Sequence, residues 1–427
     1  MSELSIGTTI HLTNGQTAKV KKLLGEGGQG YVYLAEVAGK DMALKWYKKE
    51  PSKDPSAFYK NLKNNAINGA PSSAFIWPKY ITQKEYNSFG YLMDLRPNDY
   101  FEFGQFLLGK QKLSSWHAAT TAAMDICEGF KALHARGLSY QDLNDGNFFI
   151  NPKTGHVKIC DNDNAFPNGE KSGILGKARY MAPEVVIGKT FPNAYSDKFS
   201  LSVILFMIFY MNHPFEGAKV VSVPCMTEER EKKFYGSEIL FIADPTDKSN
   251  RPVKGIHNNV INRWPYLPSI LRKVFSEEFG KEKLLNPEKR YTEQQWLDAL
   301  TLIRDGLIYC PNCKEETFVE VGNNNKCMEC GKPFAINNTL TANNRSIPLT
   351  KGKKIYLDRD DMADLQIISD SQDAAKLRIQ NLTPDAVMVD TTKGTTMKIE
   401  SRGDMPVKTG LVLHIKIRDN MYKYEIK

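Results

Sequence analysis

The sequence predicts an α+β chain built from a two-lobed domain, a compact cysteine-rich segment and a terminal β-sandwich. Three observations carry that expectation. Short β-type runs separated by turn residues ("GYVYLAEVAG", "DMALKWY", "YLMDL") fill the region from Ile10 to Leu95. Long helical periods take over from Leu113, as in "SSWHAATTAAMDICEGFKALHARG", which ends on a glycine stop. Past Leu307 come two CxxC pairs, then a return to alternating apolar residues in "KIYL", "LQII" and "LVLHIKI".

These shifts set the expected boundaries: a β-rich lobe over 1–97, a helical lobe over 98–306, the cysteine segment over 307–335, a linker over 336–347 and the β-sandwich over 348–427. The linker rests on the polar run "INNTLTANNRS", and a hinge is expected near Asp94 to Asn98. A length of 427 residues suits two or three domains at ~150 residues each. Apolar content of 41% with 25% charge is that of a soluble globular protein. The most apolar run, "LSVILFMIFYM", is shorter than the ~20 residues a membrane span needs, so it reads as a buried helix and no membrane partner is expected. The opening "MSELSIGTTIHLTNG" lacks a basic region followed by an apolar one, and no disulfide framework is visible, so a cytoplasmic location is expected. A net charge of +8 reads as a solvated surface in a chain of this size.

In the first lobe, "GEGGQGYV" sets Gly25, Gly27, Gly30 and Val32 between two β-patterns. Glycines let a backbone approach phosphate oxygens and present its N–H groups to them, although the same string also fits a tight hairpin. "MALK" then places Lys45 on the third strand beside the small Ala43. Further on, "DLNDGN" supplies Asp142 and Asn147, "VKICD" ends a strand at Asp161, "YMAPE" ends at Glu184, "YSDKFSLSV" carries Asp197, and "NPEKRYT" carries Arg290.

In this order the motifs resemble the eukaryotic-type protein kinases over residues 10 to 306. The resemblance implies a bilobal kinase-like fold and ATP-dependent phosphorylation of Ser/Thr hydroxyls on a protein substrate. It implies Lys45 on the α- and β-phosphates, Asn147 and Asp161 as Mg²⁺ ligands, and Asp142 as the base facing the acceptor hydroxyl. It also implies an adenine pocket of Val32, Ala43, the gatekeeper Met93, the Asp94 carbonyl, the Arg96 amide and a floor at Phe149. Pairing of Glu184 with Arg290, and of Asp197 with the catalytic-loop backbone, would be structural. The string "QDLNDGN … DNDN", with the modules after it, is similar to bacterial kinases associated with tellurite-resistance and stress operons.

Several positions depart from the family pattern. Tyr140-Gln141 replaces His-Arg, Asn144 stands where a phosphate-binding lysine is usual, and Lys177 replaces a threonine. Asp161-Asn162-Asp163 replaces Asp-Phe-Gly, leaving Asp163 as a further metal ligand, an acceptor for groups around the metal or a solvated carboxylate. The helix expected over Ala57 to Ile67 has no glutamate for Lys45, so Asn61, Asn64, Asn65 or Glu50 could stand in. Ser172 is the only hydroxyl between Asp161 and Tyr180, and with no arginine beside Asp142, phosphorylation there is not expected to be the switch. The alternatives to an active kinase are a nucleotide-binding pseudokinase scaffold and a small-molecule phosphotransferase.

Cys310, Cys313, Cys327 and Cys330 form CxxC-x13-CxxC, the spacing of a structural Zn²⁺ ribbon. Charges from Cys310 to Arg345 cancel, so protein docking is expected there rather than nucleic acid. "IYLDRDDMADLQII" resembles the opening of a forkhead-associated (FHA) domain, with Arg359 at the phosphate-binding position. Asp358 replaces a glycine, "SQDAAKLRI" lacks the Ser-Arg-x-His pair, and the Asn-Gly-Thr loop is reduced to Lys393-Gly394-Thr395. An FHA-like sandwich that docks a phosphoprotein or another partner is the expectation.

Overall fold

The computed structural model describes residues 3–48, 54–170, 176–358 and 362–427. Glu50 as a partner for Lys45, Ser172 as a phosphorylation site and Arg359 as a phosphate ligand therefore lie outside the described residues. The chain divides into two compact units, one of residues 1–114, 121–262 and 275–297, the other of 115–120, 263–274 and 298–427.

The first unit opens with an antiparallel sheet of β1 (Thr9–His11), β2 (Thr17–Glu26), β3 (Gly30–Val37), β4 (Lys40–Tyr47), β5 (Tyr80–Ile81) and β6 (Gly90–Met93), in the order β1-β2-β3-β4-β6-β5. Side chains alternate across a strand, and β4 shows what that does here. Met42, Leu44 and Trp46 enter one apolar cluster with Val20 and Tyr33, while Ala43 and Tyr47 enter another with Phe58 and Leu62 of helix α1 (Pro55–Asn68). Lys45 shares the second face and is therefore turned towards α1 and buried.

Helix α1 begins two residues before the expected start. Asp54 accepts the Ala57 N–H at 3.0 Å, Pro55 occupies the first turn, and Gly69 closes the helix at φ 68°. The apolar run becomes the helix Ala194–Tyr210, buried almost all round and started by a reciprocal cap between Asn193 and Ser196. No helix among the described residues is long and apolar enough to cross a membrane.

In the second unit, strand Leu307–Tyr309 pairs with Glu316–Phe318, and Asn325–Lys326 pairs with Pro333–Phe334. The Glu316 carboxylate accepts the backbone N–H groups of Trp116 at 2.5 Å and His117 at 3.3 Å, capping the first turn of the helix Trp116–Ala135. After these strands come two antiparallel sheets that share one apolar cluster. One has six strands in the order Arg345–Pro348, Thr339–Ala342, Asn420–Ile426, Val412–Ile417, Val387–Asp390, Thr396–Ile399. The other has four, in the order Lys354–Ile355, Leu365–Ser369, Leu377–Asn381, Asp404–Pro406.

The expected linker over 336–347 is not a linker. Thr339–Ala342 and Arg345–Pro348 form a hairpin, with Leu340 and Ile347 fully buried in the shared cluster. Asn343 takes the left-handed conformation at φ 51°, which asparagine tolerates and a tight hairpin requires. Polar residues on the open face hid two apolar anchors on the other.

Candidate active site

The glycine string forms the tip between β2 and β3, where Gly27 N donates to Gly30 O at 2.9 Å. Register shifts beside Lys22 and Gly25 twist β2 just before the tip. Gly30 is required by close approach, since a Cβ there would meet the Trp46 carbonyl oxygen at 2.3 Å. A Cβ on Gly25 would face open space, and one on Gly27 would meet only the Gly30 carbonyl oxygen at 4.0 Å. Beneath the tip, Val32 pairs with Lys45 across β3 and β4, and Ala43 pairs with Met93 across β4 and β6. Past β6, the Asp94 carboxylate binds Lys79 at 2.5 Å and Lys40 at 3.3 Å, and the Arg96 guanidinium lies 4.6 Å from the centre of the Phe149 ring.

Lys45 is the electrostatic centre. Its side chain is 6% exposed and its ammonium donates to Asp163 Oδ2 at 2.9 Å, to Asp163 Oδ1 at 3.0 Å, to Gln29 Oε1 at 3.3 Å and to Asp161 Oδ1 at 3.4 Å. Burial pulls its pKa down, but the charges of Asp161 and Asp163 outweigh that and hold it above the ordinary lysine value. The Asp163 carboxylate is fully buried and accepts two more bonds, from Tyr47 OH at 2.5 Å and Tyr91 OH at 3.2 Å. Burial, followed by the charge of Asp163, pushes both phenols well above their usual range, so they remain donors.

That geometry corrects the sequence reading of α1. Asn61 and Asn65 do not reach Lys45; their amides donate to the Ala165 carbonyl at 2.8 Å and 2.9 Å. They anchor the segment that delivers Asp163, while Asn64 is exposed. Nor is Asp163 a solvated carboxylate. Asn162, in place of an apolar plug, donates to the carbonyls of Ile76 at 2.7 Å and Ile159 at 2.9 Å.

In the loop opposite, a tyrosine stands where the family resemblance implied a histidine. Tyr140 is buried, and its hydroxyl accepts from Asn147 Nδ2 at 3.0 Å and donates to the Cys160 carbonyl, one residue before Asp161. Asn147 Nδ2 also donates to the Asp142 carbonyl at 3.0 Å. Tyr140 thereby ties Asn147, Asp142 and Asp161 into one frame. Gln141 adopts φ 68° and donates to the Glu170 carbonyl at 2.8 Å. Burial raises the pKa of Asp142, opposed by a bond from Asn144. Glu184 and Arg290 form a two-pronged ion pair at 2.8 Å on each arm.

Asp197 accepts the N–H groups of Tyr140 at 2.6 Å and Gln141 at 3.1 Å, and His134 stands behind it, 3.1 Å from Asp197 and 2.8 Å from Glu293. Burial lowers the His134 pKa, but hydrogen bonds to the two carboxylates override it and lift it to about 9. A raised folded-state value contributes stability that is complete below the unfolded value of ~6.5 and lost as pH rises through the folded one. Denaturant unfolding should therefore show wild type losing roughly 3 kcal/mol more than His134→Gln between pH 6 and pH 10. Parallel curves would remove the imidazolium from this account.

A second constellation lies in the other unit. The sulfurs of Cys310, Cys313, Cys327 and Cys330 all fall within 4.8 Å of one another, with Cys310–Cys330 at 3.9 Å and Cys313–Cys327 at 3.6 Å. Tetrahedral thiolates at ~2.3 Å from a zinc ion would lie ~3.8 Å apart, so the donor set fits that ion. Backbone N–H groups of Asn312 and Glu329 point at Cys310 and Cys327 Sγ, each at 3.4 Å, as donors that stabilise thiolate.

A family model described as "Protein kinase domain" matches residues 18–302. The chain is 29% identical over 204 residues to the protein kinase C delta type of Mus musculus, covering 46% of this chain and 30% of that protein. It is 28% identical over 221 residues to the serine/threonine-protein kinase PknA of Mycobacterium tuberculosis, covering 48% of this chain and 49% of that one. Against the probable serine/threonine-protein kinase PknB of Corynebacterium glutamicum it is 24% identical over 216 residues, covering 47% and 32%. The chain thus spans half or less of the length of each of these relatives.

Proposed function

The chain belongs to the protein kinase family, and from that premise we propose that it transfers the γ-phosphoryl group of ATP to Ser/Thr hydroxyls of a protein substrate. The observation that carries this reading is the approach of Lys45 to Asp161, at 3.4 Å across 116 residues of sequence, under the glycine tip. In this reading the tip that carries Gly25, Gly27 and Gly30 lies close over the phosphates, because glycines let the backbone approach them, and Lys45 adds its fixed charge. Val32, Ala43, Met93 and Phe149 take the adenine ring, and the backbone of Asp94 and Arg96 its polar edge. Asn147 and Asp161 present oxygens suited to Mg²⁺, which when bound offsets charge on the transferring group. Asp142, its pKa lifted by burial, takes the acceptor proton. In the other unit the four cysteines would hold a structural Zn²⁺, and the paired sheets would dock a partner in the manner of an FHA domain.

A nucleotide-binding scaffold is the second reading, favoured by the loss of Asp-Phe-Gly at Asn162-Asp163. Radiolabelled ATP distinguishes the two. Wild type should label itself or added casein, and Asp142→Ala should do so about a hundredfold or more slowly while still binding nucleotide. Equal silence from both proteins, with ATP binding that depends on Lys45, would favour the scaffold.

A further inference from the structure

Two positions beside Asp142 have exchanged their chemistry. Asn144 brings a neutral amide where the family resemblance implied a cation, and Lys177, on the segment leading to Glu184, brings an ammonium where it implied a hydroxyl. The side chains meet. Asn144 Nδ2 donates to Asp142 Oδ1 at 3.2 Å, and Lys177 Nζ donates to Asn144 Oδ1 at 3.1 Å. One amide therefore holds the carboxylate at one end and the ammonium at the other. The backbone carrying Lys177 is itself pressed against the carboxylate, because a Cβ on Gly176 would stand 2.9 Å from Asp142 Oδ1. Asn144 is 4% exposed and fixed, whereas the Lys177 side chain is 59% exposed and its only ion pair among the described residues is a loose one to Asp145 at 3.8 Å.

We propose that Lys177 is a catalytic residue that contacts the transferring phosphoryl group, supplying the cation that Asn144 does not. The assignment rests on the kinase reading above. In the step, the acceptor hydroxyl oxygen bonds to the γ-phosphorus and the bond from that phosphorus to the β,γ-bridging oxygen breaks. The bridging oxygen leaves with the electron pair as part of ADP, and the hydroxyl proton passes to the Asp142 carboxylate. Charge in such a transfer is spread over the equatorial phosphoryl oxygens, and an ammonium on a flexible stem beside the base can follow it. Asn144 is the positioning residue, holding Asp142 and steering the ammonium without a direct ion pair that would neutralise both.

The test uses the full chain with radiolabelled ATP and casein, together with a fluorescent ATP analogue for affinity. Lys177→Met and Lys177→Thr should each lose about a hundredfold in kcat with nucleotide affinity unchanged, which also certifies folding. The acid limb of the kcat profile should move to higher pH in both, since removing a neighbouring cation makes Asp142 harder to deprotonate. The exchange variant Asn144→Lys/Lys177→Thr should recover about tenfold or more over Lys177→Thr alone. A wild-type rate in Lys177→Met, or an exchange variant no better than Lys177→Thr, overturns the assignment and leaves the kinase reading standing. Silence from wild type and Asp142→Ala alike overturns both.

Discussion

Asp163→Ala should cost this protein both its activity and a large part of the stability of its first unit. The Asp163 carboxylate is fully buried and receives Lys45 on both oxygens, with Tyr47 and Tyr91 beside it. Alanine would leave an ammonium at 6% exposure with only Gln29 at 3.3 Å and Asp161 at 3.4 Å. Removing one partner of a buried ion pair destabilises by about 3–5 kcal/mol, because the remaining charge is left without compensation. The same change frees Lys45 from the position proposed for it beside the phosphates, so under the kinase reading label transfer should fall by about a hundredfold or more. Asp163→Asn should rescue little. Three donors converge on this group, and an amide would turn its own N–H towards one of them. Urea unfolding alongside label transfer checks the claim, with Asp142→Ala as the variant that loses label but keeps its midpoint. A stability loss in Asp163→Ala below about 1 kcal/mol would sink it. Since each partner restrains the other, Lys45→Met/Asp163→Leu should be less destabilised than the sum of its single changes.

Asp163 also marks where legibility in the sequence ended. Ordered motifs singled out Asp142, Asn147, Asp161 and Lys45 because each belongs to a local string with fixed spacing: Asp142 to Asn147 within one loop, Asp161 at a strand end, Lys45 on β4. The family keeps a glutamate for Lys45 on this helix, and the sequence offers in its place only the asparagines of α1 or Glu50 before it. Those asparagines proved to be the missing information, since Asn61 and Asn65 bind the Ala165 carbonyl and draw the "DNDN" segment under the sheet. Two buried tyrosines on β4 and β6 were the remaining signal, because phenols on an apolar face need an acceptor. Only packing between segments distant in sequence could show that the acceptor was Asp163. The hairpin in the polar run after the cysteines was missed for the opposite reason. Its two apolar anchors are local, but the side chains around them are those of a loop.

Removing the metal should have the largest effect on the second unit. Stoichiometric zinc is expected in the purified chain, and four thiolates leave no open position for a reacting water, so the ion would serve structure alone. Structural zinc contributes about 10–16 kcal/mol of apparent binding free energy in small domains, more than the short strands around it could supply. Leu307–Tyr309 with Glu316–Phe318, and Asn325–Lys326 with Pro333–Phe334, are each too brief to persist as isolated ribbons. Chelation, or Cys310→Ser or Cys327→Ser at the buried ligands, should therefore unfold this segment. The consequence is readable in tryptophan emission. Trp116 packs edge-on to Phe318 at 5.5 Å, carries the Arg263 guanidinium at 5.3 Å and has its backbone N–H on Glu316. Losing the ribbon exposes that ring and uncaps the helix behind it, so emission should shift to the red and return when zinc is restored. Cobalt in place of zinc should give the visible spectrum of a tetrahedral thiolate site, tying the optical change to these four sulfurs. Emission indifferent to a strong chelator, in a protein shown to have lost its zinc, would mean that the strands hold themselves and that the four cysteines stabilise nothing.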